Sequence, residues 1–456
     1  MQGPHGSLIS LGKEFLMNTI MKVGLNFFGC NKNLVDAEIA LGVMKEQGYV
    51  ITPDLSEADI IIVNTCAFIN PAKTESIDGI FEMAEYKKTG KCRLLVVTGC
   101  LAQRYASALM SDMPEIDILL GVNQYEKLPE AVDHVLQTGE RYMSVKDPHV
   151  FFEHPRVLST PSYSAYIRIG EGCSNHCTFC AIPLIRGNYR SRNEDHILNE
   201  VRMFAQSGVK EHVLVAQDTT RYGTETHEHS TLPSLMRKCA DIPGVEWLRV
   251  LYCYPDETSE ELLDLMAERE NVCRYLDLPI QHINDDILRR MHRRGDSSDI
   301  RRCVRQARER NITLRTSIIV GFPGETEDQF EELLDFLKEA QFDRLGAFAY
   351  SPEENTPAAR MPDQIDEEVK QERLDRLMRL QAEISLERNR ARLGQTVKTL
   401  ILGKNERGIY EGRTEREAPE TDGVILIDSS KELHPGQFVS VRLNEADYYD
   451  IRGVLV

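Results

Sequence analysis

The sequence predicts an α/β chain in three parts: an N-terminal doubly wound parallel domain, a central partial (β/α)6 barrel and a small C-terminal antiparallel β-barrel. Three observations carry this. From about residue 21 to 147, short apolar runs alternate with amphipathic stretches, the pattern of a parallel sheet covered by helices. Between residues 165 and 362 six apolar runs recur, each interval wide enough for one helix, fewer than the eight units that close a full barrel. Beyond Gln395 the period drops to two, with glycines between the runs, as in small barrels of short strands. Length agrees: 456 residues exceed one core, and ~150 residues per domain suggests about three.

Taken in order, residues 1–20 read as a leader or tag-like segment without a secretory apolar run. Residues 21–147 form the first domain. Its strands are expected at Lys22–Phe28, Ile60–Asn64, Leu94–Thr98 and Ile116–Leu120. Its helices are expected at Leu34–Gln47, Ile77–Lys87, a stretch after Cys100, and Leu128–Leu136. Residues 148–164, with Pro155 and Pro161, read as a linker. The central domain, 165–393, has expected strands at Tyr166–Ile169, His212–Ala216, Trp247–Tyr252, Tyr275–Leu278, Thr313–Val320 and Arg344–Tyr350. It ends in a charged helix, Ile365–Leu393, whose Leu374, Leu377, Met378 and Ile384 recur at helical spacing, so we expect a strut packed on the barrel. In the final domain, 394–456, Val439, Val441 and Leu443 share one face of a strand.

Composition narrows the functional classes. With 41% hydrophobic and 28% charged residues the chain is globular, neither disordered nor membrane-spanning. Its net charge of −18 disfavours general nucleic-acid coating and favours a basic macromolecular partner. Eleven scattered cysteines form no disulfide scaffold. They indicate a reducing cytoplasm, where clustered thiols mean metal or catalysis.

Two cysteine groups stand out. Cys173-Ser-Asn-His-Cys177-Thr-Phe-Cys180 directly follows the first expected barrel strand, at the face where such folds place chemistry. A structural zinc site would need a fourth local ligand, and no residue at a suitable spacing supplies one. Three thiolates on a 4Fe–4S cluster leave one iron open to a cofactor. Cys30, Cys66 and Cys100 are 36 and 34 residues apart, so no single loop holds them. Each follows an expected strand end, however, and neighbouring parallel strands lie ~4.8 Å apart, which would bring the three within ~10 Å. Gly29 and Gly99 permit the sharp turns. From spacing alone, both a second cluster and three reduced thiols stay open. Cys92, Cys239, Cys253, Cys273 and Cys303 lack such company and are expected to be buried or incidental.

The CxxxCxxC spacing is the hallmark of radical SAM enzymes. The two triads in this order, with a terminal β-barrel, resemble the methylthiotransferase family within that group, over nearly the whole chain after Met21. The resemblance implies an N-terminal methylthiotransferase domain, a TRAM domain at the C-terminus, and two 4Fe–4S clusters, on Cys30, Cys66, Cys100 and on Cys173, Cys177, Cys180. It also implies S-adenosylmethionine (SAM), consumed both as methyl donor and as radical source. The family has tRNA-adenosine branches and a protein branch. Cys30-Asn31-Lys32-Asn33-Leu34-Val35-Asp36, Met83–Lys88, Gln217–Gly223, Pro279–His282 and Tyr350–Glu354 resemble the protein branch. That branch modifies an aspartate β-carbon in the twelfth protein of the small ribosomal subunit, a small basic substrate that suits an acidic enzyme. From Gln395 onward the chain has eight Lys and Arg against eleven Asp and Glu, where a tRNA-binding barrel would be basic. A low-potential electron donor such as a flavodoxin or ferredoxin is implied, and no membrane. Ala37, Ala67 and Asn355 depart from the usual Ser, Gly and Gly. None is a ligand, and Asn tolerates the left-handed backbone.

Candidate SAM contacts follow from strand-end placement. Gly321 and Gly324 flank a turn between a strand and a helix. Gln217, Arg249, Gln281 and Ser317 lie on or near strand ends, where a cofactor contact and an internal barrel polar group stay open alike. Phe179 is either an apolar shield beside the cluster or a core aromatic. Arg186-Gly187 and Ser191-Arg192 seat a cofactor or a docked domain, or form a surface turn. His282 is expected to be structural.

Overall fold

The computed structural model describes residues 20–146, 155–225 and 230–456. The expected leader up to residue 19 and residues 148–154 of the expected linker lie outside them. The chain forms two compact units: residues 1–159 with Leu184–Arg186, and Thr160–Pro183 with Gly187–Val456.

The first unit contains a six-stranded sheet built from β1 (Lys22–Phe27), β2 (Val50–Ile51), β3 (Ile60–Thr65), β4 (Leu94–Gly99), β5 (Ile118–Leu120) and β6 (Tyr142–Ser144). The strand order is β2-β1-β3-β4-β5-β6, with every pairing parallel. β3 and β4 are buried along their whole length, which is why they read as unbroken apolar runs rather than alternating ones. β2 has only two residues, and β6, at the sheet edge, reads Tyr-Met-Ser, so neither leaves such a run and the sequence did not disclose them. From β1 the chain steps outward to β2 and then crosses to β3 on β1's other side. The order therefore reverses between β1 and β3, the place where open α/β sheets hold ligands.

The second unit holds six parallel barrel strands: β7 (Ser164–Arg168), then, past the short antiparallel pair β8 (Gly170–Glu171) and β9 (Arg190–Ser191), β10 (Glu211–Val215), β11 (Trp247–Val250), β12 (Tyr275–Asp277), β13 (Thr313–Val320) and β14 (Arg344–Ala349). They form two parallel three-stranded sheets, β11-β10-β7 and β12-β13-β14, joined by a parallel bridge between Leu248 and Val272. The helix Glu367–Arg390 packs on this barrel as expected: Leu377 and Ile384 are buried, and Gln381 Nε2 donates to the Phe342 carbonyl at 2.8 Å.

The C-terminal strands β15 (Thr396–Lys404), β16 (Tyr410–Arg413), β17 (Ile425–Asp428), β18 (Phe438–Ala446) and β19 (Ile451–Leu455) close a barrel in the order β15-β16-β17-β19-β18. Ile401, Tyr410, Ile425, Ile427, Val441, Leu443 and Ile451 fill it. One expectation needs amending: β17 and β19 pair in parallel. An odd number of strands cannot alternate in direction all the way round a closed ring, so one parallel pairing is unavoidable.

The segment following β16 plugs the N-terminal end of the parallel barrel. Arg413 pairs with Glu211 (2.5 Å), the first residue of β10. Arg416 donates to Thr313 Oγ1 (2.9 Å) at the start of β13. Glu417 receives Arg344 (3.4 Å), at the start of β14, and also Arg392. Asp422 accepts from Tyr275 Oη (2.6 Å), at the start of β12.

Candidate iron–sulfur and cofactor sites

The central cysteines sit on a loop held from several sides. Cys173 N–H donates to the Gly187 carbonyl (3.0 Å), Cys180 N–H to the Cys177 carbonyl (3.0 Å) and Thr178 N–H to the Met291 carbonyl (3.0 Å). Gly172 has a φ of 75°, and a Cβ there would meet the Asn188 carbonyl oxygen at 2.2 Å, so the entry to the loop requires glycine. His176 takes a φ of 50°. Burial pushes the Cys173 thiol up to about 12 and Cys180 well above its ordinary value, with neighbouring thiols of the triad adding to it and Arg293 opposing. A thiol this buried gives up its proton only to a cation that replaces it.

Polar groups surround this loop. Arg293 lies with its guanidinium 4.2 Å over the Tyr254 ring. It reaches Cys177 Sγ at 3.6 Å and the Pro279 carbonyl at 2.6 Å. Asn175 Nδ2 donates to Asp218 Oδ2 (2.8 Å), which also takes Arg294 (3.0 Å). The buried Glu171 accepts from Gln217 Nε2 (2.8 Å) and the Gly172 N–H (3.0 Å), and pairs with Arg168 (2.9 Å). Sequence reasoning missed Arg293, Asp218 and Glu171. Glu171 stands two residues before Cys173 and was the one with a local signal; Asp218 and Arg293 reach the loop only through the fold.

The expected cofactor residues divide. Gln217 lies beside the cluster loop through Glu171. Gln281, with a φ of 71°, donates its N–H to the Ser317 carbonyl (2.9 Å), so these two come together. Gly321 and Gly324 adopt φ values of 69° and 74°. Added Cβ atoms would stand 2.4 Å from Lys370 Cγ and 2.1 Å from Arg290 Nη1, so both glycines face the chain's own side chains. Phe179 packs on the cluster of Ile287, Met291, Phe322 and Tyr350. Arg249 is a correction. Fully buried, it pairs with Glu211 (3.1 Å) and donates to the Glu415 carbonyl (2.9 Å), at the plugged end of the barrel. A long side chain on a strand reaches either way along it, and here Glu211 draws it toward the strand's N-terminal end. His282 Nδ1 accepts from Asn284 N–H (3.0 Å), and burial, then Arg373, pull its pKa down to about 3. Burial thus favours the neutral form of this core imidazole, whose Nε2 lies 3.6 Å from the buried Glu325 carboxyl.

In the first unit, Cys30, Cys66 and Cys100 follow the C-terminal ends of the adjacent strands β1, β3 and β4. A Cβ on Gly29 would stand 3.0 Å from Cys66 Sγ. Gly29 and Gly99 have φ values of 105° and 97°, as the turns into the thiols demand. Asn33 Nδ2 donates to the carbonyls of Phe28 and Thr65 (both 3.0 Å), holding two of the strand ends together. Burial lifts Cys66, with Cys30 adding to it, and lifts Cys100 to about 12, with Cys66 and Cys30 adding to it; Arg186 opposes both. Among the described residues no three His, Cys, Asp or Glu side chains are close enough to grip a single metal ion. Three thiols in each triad are the donor type that iron–sulfur clusters take. Asn355 shows the left-handed φ expected of it, 64°.

Comparison with known proteins agrees with this division. Residues 22–121 match the model described as uncharacterized protein family UPF0004, residues 167–337 the radical SAM superfamily, and residues 393–456 the TRAM domain. The superfamily brings SAM and one 4Fe–4S cluster to the central domain. In fold the chain is similar to the radical SAM methyltransferase TsrM from Kitasatospora setae. For its cobalamin and 4Fe–4S form the TM-score is 0.55 at 16% identity, over 75% of this chain and 77% of that one. For its tryptophan and aza-SAM form the score is 0.54 at 14% identity, over 86% and 84%. Much nearer in sequence are proteins named ribosomal protein uS12 methylthiotransferase RimO. That of Desulforamulus reducens is 48% identical over 439 residues, covering 95% of this chain and 99% of that protein. That of Clostridioides difficile is 48% identical over 438 residues, covering 95% and 98%, and that of Caldicellulosiruptor saccharolyticus 46% over 443, covering 96% and 100%. Identity at this level over nearly the whole length of both chains means that the chain belongs to the RimO family of radical SAM methylthiotransferases.

Proposed function

We propose that this enzyme methylthiolates the β-carbon of an aspartate in small-subunit ribosomal protein uS12, using two 4Fe–4S clusters. The observation that carries the reading is the second thiol triad: three cysteines far apart in sequence follow three adjacent strand ends, in a chain that already has the CxxxCxxC loop. Cys173, Cys177 and Cys180 would hold a cluster with one iron open to SAM, which would supply one-electron cleavage of SAM with release of methionine, and Cys30, Cys66 and Cys100 would hold a second cluster, where the sulfur to be methylated and transferred would be attached. The residues of this chain hold and orient. Arg293 stacks on Tyr254 against Cys177, Asn175 fixes the cluster loop to Asp218, and Glu171 keeps Gln217 beside that loop. Hydrogen abstraction by a radical needs no general base, which agrees with a neutral His282. The electron comes from a low-potential donor of flavodoxin or ferredoxin type, and the site of action is the cytoplasm. Among the described residues no helix is long and apolar enough to cross a membrane.

The test uses anaerobically reconstituted protein with SAM, a low-potential reductant and a sulfur source. It is offered uS12 and, separately, unmodified tRNA, and mass spectrometry reads the product. A methylthio group on an aspartate of uS12 is the expected result. A methylthio group on adenosine alone would overturn the choice of substrate and leave the two-cluster scheme standing.

A further inference from the structure

We propose that Arg186 is the positioning residue of the N-terminal triad: anchored by Asp36 and Asn33, its guanidinium holds Cys100 and places a fixed positive charge beside the anionic group bound there. The proposal rests on the reading that Cys30, Cys66 and Cys100 hold a cluster.

The first unit includes a segment from far along the chain, Leu184–Arg186. Arg186 Nη2 lies 2.7 Å from Asp36 Oδ2, 2.8 Å from Asn33 Oδ1 and 3.4 Å from Cys100 Sγ. All four residues are buried. Removing a guanidinium from water is costly unless it is paired and hydrogen-bonded. A structural ion pair has no need of a sulfur as a further partner. A site that gathers negative charge does: thiolates and a bound cluster are anionic, and in a buried setting a nearby cation stabilises them far more than in water. Asn33 connects the parts. The side chain that accepts from Arg186 also donates to the carbonyls of Phe28 and Thr65, the residues just before the Gly29–Cys30 turn and Cys66. One small network thus touches all three ligand positions.

A second arrangement repeats the idea independently. In the other unit the buried guanidinium of Arg293 lies 3.6 Å from Cys177 Sγ. Each triad therefore has its own arginine on one cysteine sulfur. Charge and N–H donors near ligand sulfurs are among the terms that set a cluster's potential.

The experiment uses the full chain carrying Cys173→Ala, Cys177→Ala and Cys180→Ala, so that only the N-terminal site can hold a cluster. Iron and sulfide per chain are measured after reconstitution, and the midpoint potential by an EPR-monitored redox titration. We expect a cluster to remain in this background. Arg186→Met should shift its potential downward, because the cation that favours the reduced, more negative state is gone. Asp36→Asn should shift it upward, because the carboxylate opposing that cation is gone. Arg186→Lys should hold the potential nearer the parent's than Arg186→Met does, since the charge stays. Shifts of opposite sign are not what a merely structural pair would give. If Arg186→Met fails to fold by circular dichroism, Arg186→Lys and Asp36→Asn carry the test. If the background chain binds no iron, the two-cluster reading falls and this proposal with it. If it binds iron but the variants leave potential and iron content unchanged, or shift both potentials the same way, the proposal alone is overturned.

Discussion

Burial by itself does not mark a ligand cysteine in this chain. Cys239 and Cys273 are pushed up to about 12 by burial just as Cys100 and Cys173 are. Cys100 feels Cys66 and Cys30, and Cys66 feels Cys30, whereas the charges acting on Cys239 are those of Glu194 and Arg202. Replacing Cys173, Cys177 or Cys180 with Ala should therefore abolish SAM cleavage, read as loss of deoxyadenosine. Replacing Cys30, Cys66 or Cys100 should leave cleavage in place and abolish methylthio transfer. Transfer that survives in either set would refute the two-site scheme. A further prediction concerns proton linkage. Burial, the larger cause, then Arg373 hold His282 at about 3 in the folded chain, against an ordinary ~6.5 when unfolded. As pH falls below ~6.5 the unfolded chain takes up this proton and the folded chain does not, so stability declines toward pH ~3. His282→Gln should flatten that part of the stability-against-pH curve in chemical denaturation. An unchanged slope would show that His282 is not held neutral.

At the scale of elements, the charged segment after β16 shows what sequence periodicity misses. Arg413, Arg416, Glu417 and Asp422 belong to no apolar period, so nothing local marks them as buried. In the fold they meet Glu211, Thr313, Arg344 and Tyr275 at strand starts. Burial alone would raise Glu211, yet Arg413 and Arg249 outweigh it and hold the carboxyl at about 2. Glu211→Gln leaves two guanidinium groups without their shared counter-charge, and breaking a buried pair in this way costs about 3–5 kcal/mol. The measurement is urea denaturation at neutral pH. The sign with pH follows from the lowered folded value. Glu211's contribution is complete above the unfolded ~4.3 and is lost as pH falls toward 2, so the gap between wild type and variant should close over that window. A gap that is absent at neutral pH would mean that the plug carries no net stability. The strands themselves were legible for a different reason. Parallel strands buried on both faces, such as β3 and β4, must be continuously apolar, and that survives in the sequence. β2, β8 and β9 have two residues each, too few for a pattern, and β6, an edge strand reading Tyr-Met-Ser, is not continuously apolar.

At the scale of the molecule, three sequence segments become two compact units, since the central and terminal parts count as one. Removal of residues 394–456 would strip Glu211 of Arg413, Arg344 of Glu417 and Tyr275 of Asp422, and would open these strand starts to water. We expect the truncated chain to be poorly soluble or to unfold at much lower urea, and a shortened chain as stable as the full one would contradict this. The sequence by itself determined the order of the three folds, the six ligand cysteines as candidates, and the class of chemistry, because cysteine spacing within a loop and strand periodicity are local properties. Tertiary structure alone decided what surrounds the sulfurs and which way long side chains reach. Arg186 lies 150 residues from Asp36 and 86 from Cys100, and Arg293 lies 116 from Cys177. It also decided that Arg249 turns away from the expected cofactor toward Glu211. Separations of that length leave no pattern along one chain; they exist only once the strands have packed, when the low-dielectric interior makes the position of each charge matter.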